Sequence, residues 1–448
     1  MQDFPFSETT PRAFGGPPPR QSDVVVIGGG VIGVCTALFL ARAGHRTVLL
    51  EKGCIAGEQS SRNWGWIRQQ GRDPDELPIM VEANQLWRDL ASETNADIGL
   101  LRGGVTYLAE DDDALETFAG WLPHAEAQGV DTRLLTQAET EAMLPGVAKR
   151  YAGALYTASD MRAEPWKAVP ALAELAVRAG ATIVEGCAVR CLDIEAGRVS
   201  GVVTEEGLIK TSEVVLAGGA WSALFLANEG IRLPQLSVRA TATATTPLPQ
   251  ICPSGVADDK LAFRYRADGG YTLAPGSFHE LFVGPAALRS MPKYLTQLRA
   301  DPTGTRFLPR APKGYPDSWG VARRWHGDME TPFERMRVLN PGPNKSKIEE
   351  LKRGFAARFP SLPAFDIQCA WAGMIDTMPD VVPVVDRIAS LPGLTVGTGM
   401  SGHGFGIGPG MGKVLAALAT GAKTGHNLSR FRFDRFQDGS AVTLGPAL

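Results

Sequence analysis

The sequence is short of cysteine, of histidine and of charge of one sign, and each shortage excludes something. Its 448 residues hold six cysteines, at positions 35, 54, 187, 191, 252 and 369, and six histidines. No two cysteines form a C-x-x-C pair and none has a histidine at metal-ligand spacing. That excludes a disulfide scaffold and a zinc site, predicts no metal, and points to a reducing compartment. Forty-five Lys and Arg against 48 Asp and Glu leave a net charge of −3, which gives no electrostatic reason to expect nucleic acid or an anionic membrane as partner. The first 22 residues lack the basic head and continuous apolar stretch of a secretory signal, and Gly15-Gly16 before Pro17-Pro18-Pro19 reads as a mobile or surface-hugging arm. The longest apolar run, residues 24–41, carries four glycines that would break a lone membrane helix. The expectation is a cytoplasmic protein without a transmembrane segment. No internal repeat of 20–50 residues is present.

Glycine, in contrast, is abundant, with 51 residues, and marks many places where backbone turns with positive φ or approaches something closely. The length suits about three units of ~150 residues. Asp23-Val24-Val25-Val26-Ile27 is the β-branched run of a strand buried on both faces, residues 31–43 continue as an apolar helix that Gly44 stops, and Thr47-Val48-Leu49-Leu50-Glu51 is a second buried strand. Together they make a βαβ unit. Helical spacing recurs over 78–91 and 166–179. Short strands separated by Gly turns fill 189–216, and residues 236–365 alternate as in an antiparallel sheet, with a helix over 347–358. Buried-strand text returns at Leu394-Thr395-Val396, before a final apolar helix over about 409–420. The predicted fold is α/β plus antiparallel β: a Rossmann-like domain from segments 23–100, 150–235 and 366–435, with a substrate domain from 101–149 and 236–365, behind the 1–22 arm.

Gly28-Gly29-Gly30-Val31-Ile32-Gly33 fits G-x-G-x-x-G in its required context, after a strand and opening a helix, with Glu51 ending the next strand 18 residues beyond Gly33. Gly28 allows the tight turn, Gly30 lets backbone N–H groups reach a pyrophosphate, and Gly33 permits close helix–strand packing. The helix N-terminus attracts the phosphates. Glu51 accepts from ribose hydroxyls and opposes a 2′-phosphate, which favours FAD or NAD over NADP. A second glycine-rich stretch, Gly397-Thr398-Gly399-Met400-Ser401-Gly402-His403-Gly404-Phe405-Gly406, also follows a strand and precedes a helix. Backbone N–H groups gathered there suit a flavin, whose N1 and C2 carbonyl gain negative charge on reduction. Nicotinamide needs no such second loop.

With these motifs, Ser60-Ser61-Arg62-Asn63, Ala217-Gly218-Gly219-Ala220-Trp221-Ser222, Trp371-Ala372-Gly373 and Met378-Pro379-Asp380, the chain resembles the D-amino-acid oxidase family of flavoproteins over about residues 22–430. The resemblance implies non-covalent FAD, its ADP half held by Gly28, Gly30, Val31, Ile32, Gly33, Glu51 and Lys52. Ser60, Ser61, Arg62, Asn63 and Trp64 would stand beside pyrophosphate and flavin. Val189 would touch adenine, and Ala217, Gly218 and Trp221 would line the next turn. Gly373, Met374, Gly402, His403, Gly404, Phe405, Gly406 and Ile407 would reach the isoalloxazine. The implied reaction is oxidation of a C–N bond in a D-amino acid or a secondary amine. Hydride passes to flavin N5, the imine hydrolyses, and O2 or a carrier takes the electrons. No dedicated base is demanded if the pocket desolvates the amine.

Two departures from the family narrow the substrate. The cysteine that attaches flavin in sarcosine-oxidase-like members is missing just before the Met378-Pro379-Asp380 motif, and Cys369 sits ahead of it. Where glycine-oxidase-like members read W-A-G-L-R, this chain reads Trp371-Ala372-Gly373-Met374-Ile375-Asp376, so a bidentate carboxylate clamp is absent there and an acid stands next door. Either another arginine grips the carboxylate, with Arg68 and Arg72 the candidates for holding an anionic group, or the substrate carries a second amine or no carboxylate. Tyr271 either faces the flavin or is a sheet aromatic, Asp376 is a site acid or a loop acid, and His403 reads as a backbone-positioned flavin neighbour and not a base. Two alternatives stay open: a NAD-linked opine-type dehydrogenase, and the flavin-binding subunit of a hetero-oligomeric amine or opine dehydrogenase. A homo-oligomer is equally compatible with the sequence.

Overall fold

A computed structural model of the chain describes residues 2–445. Its centre is a six-stranded sheet, in the order Val384–Arg387, Leu394–Thr398, Glu213–Leu216, β1 (Val24–Ile27), β2 (Thr47–Glu51) and Thr182–Glu185. All neighbours are parallel except the first pair. The β1 valines explain the layering. Val24 and Val26 point into a core shared with α1 (Val31–Arg42), the Pro165–Arg178 helix and the closing helix Gly404–Thr420. Val25 points the other way, with Val48, Leu50 and Val214, onto the three-stranded meander of residues 189–210. Alternation across a strand supplies both cores, and both faces of the sheet are covered, as a parallel sheet requires.

The second body is a sheet of ten strands, organised around the long strands Leu236–Thr245 and Ile367–Thr377, which pair antiparallel over their whole length. Two strands expected in the Rossmann part belong here instead: Gly153–Thr157, between Val105–Ala109 and Thr132–Thr136, and Ile367–Thr377 itself. The arm lies on the protein. Gln2 bridges to Cys369, Phe4 stacks on Trp371 with ring centroids 5.2 Å apart, and the N–H groups of Ala13 and Phe14 donate to Glu185. All six cysteines are free, and among the described residues no helix is long and apolar enough to cross a membrane.

The closing helix begins at Gly404, five residues before the expected start, and carries Pro409 inside it. Pro409 removes one helical hydrogen bond, but the glycines around it bring the helix unusually close to its neighbours. A Cβ on Gly408 would press on Val31, one on Gly410 on the Ile79 carbonyl, and one on Gly412 would collide with Cys35. Gly412→Val therefore forces α1 and the closing helix apart. It is expected to cost about 1–3 kcal/mol, read as a lower urea midpoint at unchanged m-value; an unchanged midpoint would contradict this packing.

Candidate active site

One cavity of about 750 Å³ runs from the N-terminus of α1, past the turn after Glu213–Leu216, to the loop before the closing helix. Glycine makes this convergence possible. Gly28 has φ +110°, and a Cβ there would collide with the carbonyl of Ala217, so β1 and the neighbouring strand's turn touch backbone to backbone. A Cβ on Gly33 would collide with the Gly28 carbonyl, so Gly33 serves packing and does not line the cavity. Gly30 opens α1 with no side-chain cap on it, and a Cβ there would meet only Ser60 Oγ, at 3.1 Å. The positive end of α1 thus faces the cavity.

The residues around this end divide into those turned to the cavity and those committed elsewhere. Val31 and Ile32 line it, and the Val31 N–H donates to Ser60 Oγ at 2.9 Å. Glu51 accepts from the N–H groups of Gly29 and Gly53, both at 2.7 Å, and burial raises its carboxyl above the usual range in spite of Lys52 beside it. A ribose hydroxyl donating to Glu51 would relieve that burial. Lys52 corrects an expectation: all three of its ammonium protons are used, by Glu58 at 2.6 Å and by the carbonyls of Met336 and Arg337. It lines the cavity with its stem and lies over the Trp221 ring, with no proton left for a phosphate. Arg62 is similarly committed. Its guanidinium holds the carbonyls of Gly57, Glu58 and Phe6 and the side chain of Asn340, leaving buried Nε without a partner, and burial lowers it to about 10. Ser61 is buried against the Glu58 carbonyl and does not line the cavity, whereas Asn63 and Trp64 do. Val189, Ala217, Gly218 and Trp221 form the far wall.

At the other end the backbone turns through Gly399, Ser401 and Gly402, all at positive φ. Asp376 builds this turn. Its carboxylate accepts from the Gly399 N–H at 2.7 Å and the Thr398 hydroxyl at 3.2 Å, and its carbonyl accepts from the Ser401 N–H. It touches the cavity but is spent on the loop, which corrects its reading as a site acid. Gly402, His403, Gly404, Phe405 and Gly406 line the cavity, with Gly373 opposite. Ile407 and Met374 are turned into the two cores flanking the sheet. Tyr271 is a further correction: period two places it with Leu273 in the core of the large sheet, where its hydroxyl accepts from the Ile251 N–H and donates to the Pro249 carbonyl, away from the cavity.

Between the ends lie Arg68 and Arg72, 8% and 7% exposed. Arg68 stands over the Tyr107 ring, with Nη1 unpartnered, and Arg72 uses only Nε, on the Arg68 carbonyl. Burial, then the neighbouring Arg68, lowers Arg72 to about 9. Three residues absent from the sequence expectations complete the lining. Glu58 gathers Lys52, Trp221 Nε1 and the Leu339 N–H, Gln59 accepts from the Asp376 N–H, and Glu76 faces His403. No sequence signal singles out Glu76, which lies in a turn just ahead of the Leu77–Glu93 helix.

The cavity fits a dinucleotide carrying a flavin. It has a helix N-terminus opening on it, a carboxylate able to take hydroxyl donors, and a second glycine turn at the far end. Comparison with known proteins agrees. The family described as FAD dependent oxidoreductase matches residues 23–418. Sarcosine dehydrogenase of Mus musculus is 30% identical over 241 residues, which are 52% of this chain and only 26% of that protein, so the matched part spans about a quarter of its length. Sarcosine oxidase subunit beta of Rhizobium meliloti is 25% identical over 95% of this chain and 91% of its own. The structure of L-amino acid deaminase from Proteus myxofaciens superposes with a TM-score of 0.90, at 29% identity over 95% of this chain and 96% of that one.

Asp376→Ala should loosen the Gly399–Ser401 turn at a cost of about 1–3 kcal/mol. A lower thermal midpoint and poorer FAD retention are expected, with Asp376→Asn keeping most of both. Loss of turnover at full flavin content and normal stability would instead make Asp376 a site acid.

Proposed function

The chain belongs to the DAO family of FAD-dependent oxidoreductases, and on that premise we propose that it oxidises the C–N bond of a small amino acid or N-substituted amino acid, with FAD held non-covalently. The carrying observation is the pair of buried guanidinium groups, Arg68 and Arg72, on the cavity wall between the two glycine turns, with N–H groups left free of protein partners. Bound FAD would supply the acceptor for the hydride leaving the carbon next to nitrogen, and the imine would then hydrolyse in water. The chain's own part is orientation and charge. Arg68 and Arg72 take the substrate carboxylate, replacing the clamp missing beside Gly373. Trp64, Trp66 and Tyr107 wall the cavity with aromatic surface. Cys54, the one cysteine lining the cavity, has its thiol pushed up to about 12 by burial and by Glu51 and Glu185, and a protonated thiol does not support covalent attachment.

A second reading draws on the end-to-end match with a protein named as a subunit: a flavin-binding chain whose active site needs a partner. Anaerobic bleaching of the flavin across D- and L-amino acids, N-methyl amino acids and polyamines separates the two. Bleaching of the isolated chain by an amino acid supports the first reading; bleaching by amines lacking a carboxylate, or only after a partner is added, overturns it. Repeating the assay in air distinguishes O2 from a carrier as electron acceptor.

Arg68→Ala and Arg72→Ala should each raise the half-saturating amino-acid concentration about 10–100-fold, the value of a charge-assisted hydrogen bond, with flavin content unchanged. An unchanged half-saturation in both variants would remove the carboxylate from this end of the cavity.

A further inference from the structure

The cavity wall at the arginines holds polar atoms with no protein partner, among them Nη1 of Arg68, both carboxylate oxygens of Glu76 and Nδ1 of His403. Glu76 immediately precedes the Leu77–Glu93 helix, and its side chain is 1% exposed although it reaches the cavity. One of its oxygens lies 3.4 Å from His403 Nδ1, at the outer limit of a hydrogen bond. His403 stands at the N-terminus of the closing helix and lines the cavity, and among the described residues no hydrogen bond engages its Nε2. A carboxylate behind one ring nitrogen, with the other ring nitrogen free, is the arrangement that fixes a tautomer and presents a lone pair.

The charged groups facing the imidazole are Arg72, Arg68 and Glu76. Nearby charges are engaged elsewhere: Asp73 with Arg430, Lys413 with Glu82, and Asp376 with the Gly399 N–H. Burial, then Arg72, holds His403 below its ordinary range, with Glu76 opposing, so the ring is neutral at neutral pH and ready to accept a proton.

Resting on the amine-oxidation reading above, we propose that His403 removes the proton from the substrate's ammonium group and that Glu76 is the positioning residue behind it. Oxidation needs the nitrogen lone pair, which an amino acid at neutral pH lacks. In this step one N–H bond of the ammonium breaks and its electron pair stays on nitrogen. The proton bonds to His403 Nε2, Nδ1–H donates to Glu76, and nothing is oxidised or reduced. Glu76 offsets the two arginines that oppose the imidazolium, and the proton passes to water when the product leaves. Arg68 and Arg72 hold the carboxylate beside the same ammonium, which places the reacting nitrogen near the ring.

The test is the pH dependence of anaerobic flavin reduction at subsaturating amino acid, from about pH 6 to pH 10, for wild type, His403→Gln and Glu76→Gln, each checked for full flavin content. Wild type should be level through the neutral range. His403→Gln should rise tenfold per pH unit toward the substrate amine's own pKa, with a deficit of about 100-fold near neutrality that closes in alkali. Glu76→Gln should fall between, and the double variant should be no slower than His403→Gln alone, as expected for residues acting as a unit. Histidine NMR gives a second readout independent of turnover: with six histidines, the His403 resonance is assigned by its loss in His403→Gln, and Glu76→Gln should lower its titration midpoint. A wild-type profile that itself climbs tenfold per unit, a constant deficit of His403→Gln at every pH, or a His403 midpoint indifferent to Glu76→Gln would each overturn the proposal. If no amino acid bleaches the wild-type flavin at any pH, the amine-oxidation reading itself fails, and the base assignment falls with it.

Discussion

Everything at this site depends on two glycine turns, each opening a helix, being brought to one cavity. That demands contacts closer than side chains permit. Gly28 against the Ala217 carbonyl, Gly33 against the Gly28 carbonyl and Gly412 against Cys35 remove a Cβ at each place where the sheet, α1 and the closing helix meet. The consequence is electrostatic. Two helix N-termini, at Gly30 and at His403, face one cavity, where amide dipoles act at lower effective dielectric than in water. Such a place suits a diphosphate at one end and developing negative charge on a ring at the other.

The cavity is also where the two sheets are tied together. Glu58 binds Lys52, Trp221 and the Leu339 N–H, and its neighbour Gln59 accepts from the N–H of Asp376 on a long strand of the large sheet. Arg62 joins the loop of residues 57–58 to the arm through Phe6 and to Asn340. Charges that look free in the sequence are therefore structural, and charges that look structural are free. Lys52 and Asp376 are spent on backbone groups and on Glu58 and Thr398, whereas the Glu76 carboxylate is buried with no hydrogen bond within the usual limits.

The sequence made the nucleotide-binding half legible because its signals are local. A run of β-branched residues, three glycines at fixed spacing and an acid at the end of the next strand are read within one βαβ unit, and β1, α1 and β2 lie where that reading puts them. The second glycine turn is equally readable, though its helix starts at Gly404 and runs through Pro409, since packing of Gly408, Gly410 and Gly412 outweighs the one lost bond. What escaped is what depends on long-range placement. Alternation gives Tyr271 and Leu273 a shared face without saying which face meets the cavity. The strands Gly153–Thr157 and Ile367–Thr377 have the composition of either sheet. Glu76 sits in an acidic stretch that reads as the lead into a helix, and only the fold sets it against His403, far along the chain.

The most direct test of the central claim is a fluorescence titration of the flavin-free chain with FAD and, separately, with NAD, reading the tryptophans that line the cavity, Trp64, Trp66 and Trp221. Convergence of the two glycine turns on one flavin dinucleotide predicts saturable quenching at one FAD per chain, weakened by Gly30→Val and, independently, by loosening of the Gly399–Ser401 turn. No saturable response to FAD, or a tighter response to NAD, would contradict it.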